Sequence, residues 1–268
     1  MKIINKKISV FGCGNMGEAL VRGFVAKAVA NPEQVFVCDS DESKIKELNS
    51  ELGVLTLSDL TICLDSSDIV VLAVKPNTLR EILKENSFSA DSNKIIVSVA
   101  AGVQHFEIQK AFSGARVVRV MPNTPALIGE GVSGVFSDNV EAAKEISELF
   151  LSVGVAEVFE KEEDLDIVTG LSGSGPAYVF YFIESLVNGA VELGFSKENA
   201  KKLAVQTVIG AAKLVEKSNK EVSVLRENVC SPGGTTIEGI KALKEGSFED
   251  VVKNAIRAAS EKSRILSR

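Results

Sequence analysis

The 268-residue chain has one histidine, His105, so the residue enzymes use most often to move protons is almost missing. Its four cysteines, Cys13, Cys38, Cys63 and Cys230, are scattered without a C-x-x-C pair, which speaks against a zinc site and for a reducing compartment, the cytoplasm. No apolar run reaches the roughly 18 residues of a membrane span, and the opening "MKIINKKISVFGCGNMG" shows no apolar leader or cleavage site. Positive charge is also short: 30 Lys and Arg face 36 Asp and Glu, a net charge of −6, with no basic block to track a phosphate backbone. Nucleic acid and membrane are therefore not expected partners.

What is present suits a folded protein with a sizeable core, since 45% of residues are hydrophobic and 25% charged. Up to residue 161 the chain alternates β-rich and helical runs. "KISVF" (7 to 11), "QVFVC" (34 to 38), "DIVVLAV" (68 to 74), "KIIVSV" (94 to 99) and "ARVVRV" (115 to 120) are continuous apolar strands, as parallel strands buried on both faces require. Met16, Ala19, Leu20, Gly23 and Phe24 recur at helical spacing between the first two. The pattern predicts an α/β, Rossmann-like doubly wound parallel sheet over residues 1–161, extended by weaker runs near 131 to 136 and 155 to 159. Residues 162–268 read as an all-α unit: one long apolar helix from about 167 to Gly194, a second capped by Ser196, then two short amphipathic helices after a "PGG" break. That unit carries more apolar surface than it can hide alone, which predicts a homodimer through its helices.

Gly12, Gly14 and Gly17 stand in G-x-G-x-x-G spacing, directly after a strand and before a helix. In that setting the first glycine allows the tight turn, the second lets a pyrophosphate approach the backbone and the third permits close packing, so a dinucleotide is expected here. Asp39, at the end of the second strand, reads either as the acceptor for an adenosine ribose or as a cap of the next helix. A carboxylate there repels a 2′-phosphate and favours NADH, while Ser40 and Lys44 leave NADPH open. His105 is expected on a surface connection, solvated or capping. Without a histidine or an evident lysine base, the substrate should be one such as an iminium carbon, whose reduction needs no base. "SPGGTT", Ser231 to Thr236, fits this: the amides of Gly233, Gly234, Thr235 and Thr236 at a helix start suit a small carboxylate, and the hydroxyls of Ser231 and Thr236 suit a neighbouring nitrogen. A plain glycine-rich helix–helix turn is the alternative.

Together "FGCGNMGEAL" (11 to 20), "LAVKP" (72 to 76), "VRVMPNTPALIGEG" (118 to 131), "TGLSGSGPAYVF" (169 to 180), "AVQTVIGAAKL" (204 to 214) and "VCSPGGTTIEGI" (229 to 240) make the whole chain resemble the pyrroline-5-carboxylate reductases. The resemblance implies a Rossmann domain, a helical dimerisation domain, assembly of dimers into a decamer, and NADPH- or NADH-dependent reduction of 1-pyrroline-5-carboxylate to L-proline. It implies that Gly12, Gly14, Asn15, Met16 and Gly17 hold the pyrophosphate, that Val74, Lys75 and Pro76 line the cofactor, and that Asn123 and Thr124 lie near the nicotinamide. Ser231, Gly233, Gly234, Thr235 and Thr236 would take the substrate carboxylate, with Thr236 toward the ring nitrogen and Ser174, in the turn from Ser172 to Pro176, completing the wall. Two departures stand out. Leu60 occupies a position where many relatives carry a ribose-binding asparagine, which adds to the expectation of NADH, and "SNKEVSV" replaces a frequent His-Pro.

Overall fold

The computed structural model describes residues 5–267. It divides into two compact units, one of residues up to Ser174 together with those from Arg257 onward, the other Gly175–Ile256.

In the first unit, β1 (Ile8–Phe11), α1 (Asn15–Ala26), β2 (Val35–Cys38), α2 (Glu42–Leu52), β3 (Leu55–Thr56), α3 (Leu60–Ser66), β4 (Ile69–Leu72) and α4 (Pro76–Glu85) follow in strict alternation. A small ribbon, β5 (Phe88–Ser89) with β7 (Phe112–Ser113), flanks β6 (Ile95–Ser98) and α5 (His105–Ala111) in sequence. β8 (Arg116–Met121), β9 (Gly131–Phe136), α6 (Val140–Phe150), β10 (Gly154–Val158) and α7 (Asp164–Val168) complete it. The sheet order is β10-β9-β8-β6-β4-β1-β2-β3. Every pair is parallel except β8 with β9, so the expected extension of the sheet is present with one reversal of direction.

The central strands are largely apolar because helices cover both faces. Ile8, Val10, Ile69, Val71, Ile95 and Val97 pack on one side with Leu20 and Phe24 of α1 and Ile146 and Phe150 of α6. The alternate residues Val70, Leu72 and Ile96 pack on the other with Cys63, Leu79 and Ile108. β1 is central, and the chain winds outward from it in one direction through β2 and β3 and in the other through β4, β6 and β8.

His105 is not solvated. It is the first residue of α5, 6% exposed, with Nε2 3.2 Å from the Val117 carbonyl and its ring edge-on to Phe136. Its backbone N–H donates to Glu162, which also pairs with buried Arg119. The imidazole therefore braces α5 against β8.

The second unit holds α8 (Gly175–Glu192), α9 (Lys197–Lys217), α10 (Val222–Val229), α11 (Thr235–Glu245) and the first part of α12 (Phe248–Leu266). Ser196 caps α9 by accepting from the Asn199 amide, and Gly194 takes φ +98 after α8, as a helix stop requires. Two expectations are corrected. The apolar stretch from 167 is not one helix: α7 passes into a wide π turn at Thr169–Gly173 before α8 starts. The last helix is not short: α12 has 19 residues and returns the chain to the first unit, where Ser263 donates to Asp166. Among the described residues no helix is long and apolar enough to cross a membrane.

Candidate functional site

A cleft of ≈ 690 Å³ opens at the carboxyl ends of the central strands. Gly12 and Gly14 reach it from the turn after β1, Asp39 and Ser40 from the end of β2, Val74, Lys75 and Pro76 from the end of β4, and Thr124 from the loop after β8. This is where strand order reverses between β1 and β4, and open α/β sheets bind ligands at that point.

Each glycine of the turn has a separate local reason. Gly12 has φ +99, and a Cβ on it would stand 2.8 Å from the Ala73 carbonyl carbon and oxygen, which no side chain tolerates. A Cβ on Gly17 would run into the Gly12 carbonyl, so this glycine sets how closely α1 follows the strand. Gly14, the N-cap of α1, has nothing within 4 Å of a Cβ position and lines the cleft. Asn15 and Met16 start the helix beside it, where first-turn amides have no intrahelical acceptor and no side chain caps them. An open glycine at an uncapped helix start fits a dinucleotide pyrophosphate.

Asp39 does not cap α2; Asp41 does, through the Ser43 amide. Instead the Asp39 carboxylate ties two backbone segments together, accepting from the amide of Cys13 in the glycine turn and from that of Asp41 at 2.8 Å. It still lines the cleft beside Ser40 and Lys44. Burial, and next to it the Asp39 charge, push the Cys13 thiol from 9.0 up to about 12, so it stays protonated and takes no part as a nucleophile at neutral pH.

Besides Gly17, which packs inside the turn, Asn123 is the expected cofactor residue that does not line the cleft. Its side chain is buried, donating to the Ser172 carbonyl at 3.0 Å and accepting from the Val132 amide at 2.8 Å. It braces the π turn that leads to Ser174, whose own amide donates to Thr169. Sequence reasoning did not find the opposite wall, Val99, Ala100 and Ala101 after β6, nor Ala73, Thr78 and Leu127. Small residues directly after a central parallel strand were the available signal. Leu60 starts α3 and is buried, with no polar group to offer.

The second unit contains the "SPGGTT" turn. α10 ends at Val229, Gly233 takes φ +71, and Gly234 is the N-cap of α11 without any side-chain cap. The Gly234 amide is not available as expected, because it donates to the Ser231 carbonyl at 2.9 Å and closes the turn. Thr235 and Thr236 open an 11-residue helix, so their amides are among those without intrahelical acceptors. Thr236 is half-buried and Ser231 exposed. Among the described residues no group of three or more His, Cys, Asp or Glu is placed to hold a metal ion.

Comparison with known proteins agrees with both halves of this arrangement. A family model described as pyrroline-5-carboxylate reductase dimerisation matches residues 162–266, and one described as NADP oxidoreductase, coenzyme F420-dependent, matches residues 7–102. The pyrroline-5-carboxylate reductase of Methanosarcina acetivorans is 40% identical over 98% of this chain and 99% of its own. The crystal structure of pyrroline carboxylate reductase from Plasmodium falciparum with NADP bound is 34% identical, with a TM-score of 0.85 over 99% of this chain and 100% of that one. The structure of the Coxiella burnetii pyrroline-5-carboxylate reductase is 33% identical, with a TM-score of 0.88 over the same shares. Identity at this level along nearly the full length, on a sheet with its cleft at the strand reversal, means that the chain belongs to the pyrroline-5-carboxylate reductase family.

Proposed function

We propose that this protein reduces the C=N bond of 1-pyrroline-5-carboxylate to give L-proline, with NADPH or NADH as cofactor. The observation that carries the reading is the glycine turn at the strand reversal, open at Gly14 and bordered by an uncapped helix start, in a chain whose relatives are pyrroline-5-carboxylate reductases. The reduced nicotinamide supplies the hydride when bound.

The chain's own residues bind and orient. Gly12, Gly14, Asn15, Met16 and Gly17 would hold the pyrophosphate, and Val74, Lys75, Pro76 and Thr124 the nicotinamide side. Asp39 favours NADH because a carboxylate at the ribose repels a 2′-phosphate, although Ser40 and Lys44 beside it offer a phosphate a hydroxyl and a cation. In the second unit the amides of Thr235 and Thr236 suit the substrate carboxylate, with the Ser231 hydroxyl nearby in sequence. The Thr236 hydroxyl suits the ring nitrogen, since it can donate or accept. Gly233 and Gly234 shape the turn, and Ser174 completes a wall. The reaction needs positioning more than acid–base chemistry, in keeping with a single histidine that is committed to the fold.

We further propose a homodimer through the helices of the second unit, gathered into a decamer, working in the cytoplasm, where four free cysteines stay reduced. The test of the activity is loss of reduced-nicotinamide absorbance on mixing purified protein, NADH or NADPH, and 1-pyrroline-5-carboxylate. Turnover is expected with at least one cofactor, and no turnover with either would overturn the reading.

A further inference from the structure

Arg80 lies in α4, the helix whose Pro76 and Thr78 line the cleft. Its Nη2 donates to two main-chain carbonyls that are far apart in sequence, Gly102 at 2.5 Å and Leu266 at 2.6 Å. Its Nε lies 3.9 Å from the Glu107 carboxylate on α5, which keeps the guanidinium oriented. Gly102 ends the loop whose Val99, Ala100 and Ala101 form one wall of the cleft. Leu266 is the last residue of α12, where carbonyls lack intrahelical donors and the helix dipole favours a cation.

Backbone angle and close packing together favour glycine at this contact. Gly102 has φ +74, and a Cβ on it would stand 3.0 Å from the Leu266 carbonyl oxygen. The cleft-lining loop has few other ties: the Val99 amide bonds Leu72 at 3.2 Å, and the Ala100 amide bonds only the neighbouring Ser98 hydroxyl, at 3.3 Å. One side chain thus joins three segments, two of which line the cleft.

We infer that Arg80 is a positioning residue for the dinucleotide cofactor: its two-carbonyl clamp on the Gly102 end of the loop, with the end of α12 as a backstop, sets the wall formed by residues 99–101. The inference rests on the cofactor reading above. A guanidinium presents two N–H bonds from one terminal nitrogen in a fixed plane, which a lysine ammonium does not reproduce.

The test uses the full-length chain with Arg80→Met and Arg80→Lys, measuring NADH and NADPH binding by calorimetry alongside steady-state kinetics. Arg80→Met is expected to raise both Kd and KM for the cofactor about three- to tenfold, the range of a lost charge-assisted hydrogen bond acting indirectly. KM for the imine and kcat at saturation should stay within about twofold, with Arg80→Lys recovering part of the cofactor affinity. Unchanged cofactor Kd in Arg80→Met, or in Arg80→Lys if the methionine variant does not fold, overturns the inference. So does a loss spread equally over both KM values and kcat. A wild-type chain that binds no cofactor would overturn the function reading and this inference together; wild-type binding with unchanged variants overturns the clamp alone.

Discussion

At the scale of single residues, Gly14 and Thr236 carry the two binding roles proposed for this chain. Gly14 has φ −69 and ψ −175, angles any residue can adopt, and its Cβ position is open. Gly14→Val should therefore leave Tm nearly unchanged while raising the cofactor KM at least about tenfold, because the isopropyl group fills the space proposed for the pyrophosphate. Thr236→Ala removes one hydroxyl and should lower kcat/KM on the order of tenfold to a few hundredfold, read from initial rates; wild-type kinetics would remove the role. The Cys13 thiol gives a pH signature. Its folded value, raised by burial first and Asp39 second, exceeds the unfolded one, so its contribution to stability is complete below about 9.0 and is lost as pH rises toward about 12. Cys13→Ser should flatten that part of an alkaline Tm profile. The glycine turn was legible in the sequence because each glycine answers to its immediate neighbours in a strand–turn–helix unit. Asn123 and His105 were not, because their partners, Ser172 and Val117, reach them only through tertiary closure.

Elements were legible where burial and periodicity coincide. α6 shows the local logic: Asn139 accepts from the Ala142 amide at 2.8 Å, and Ala142, Ala143, Ile146, Leu149 and Phe150 are buried on one face. Asn139→Ala should cost about 1 kcal/mol, read as a lower Tm with cofactor binding retained. Periodicity failed where the buried face is not apolar. α12 packs through Ser260 and Ser263, with Ser267 just beyond it, so its length was hidden from hydrophobic spacing. The π turn was hidden for another reason: its apolar flanks continue unbroken, while Ser172 bonds back to the Val168 carbonyl and the residues between bulge out.

At the scale of the whole molecule, the second unit has little interior of its own. Val187, Ala200 and Ala204 are its buried cluster, whereas Tyr181 is 72% and Leu193 89% exposed. A second copy of the chain is the proposed cover, so Phe180→Asp with Tyr181→Lys should convert a dimer to a monomer in light scattering. A stable dimer in the double variant would move the interface elsewhere. The first unit, by contrast, is interrupted in sequence: residues 175–256 lie between Ser174 and the segment from Arg257 that completes it. During synthesis a ribosome therefore makes the sheet and all of its central strands well before it makes the backstop for Arg80. The nascent chain thus holds every strand of the sheet before the carbonyl that Arg80 bonds at Leu266 has been made.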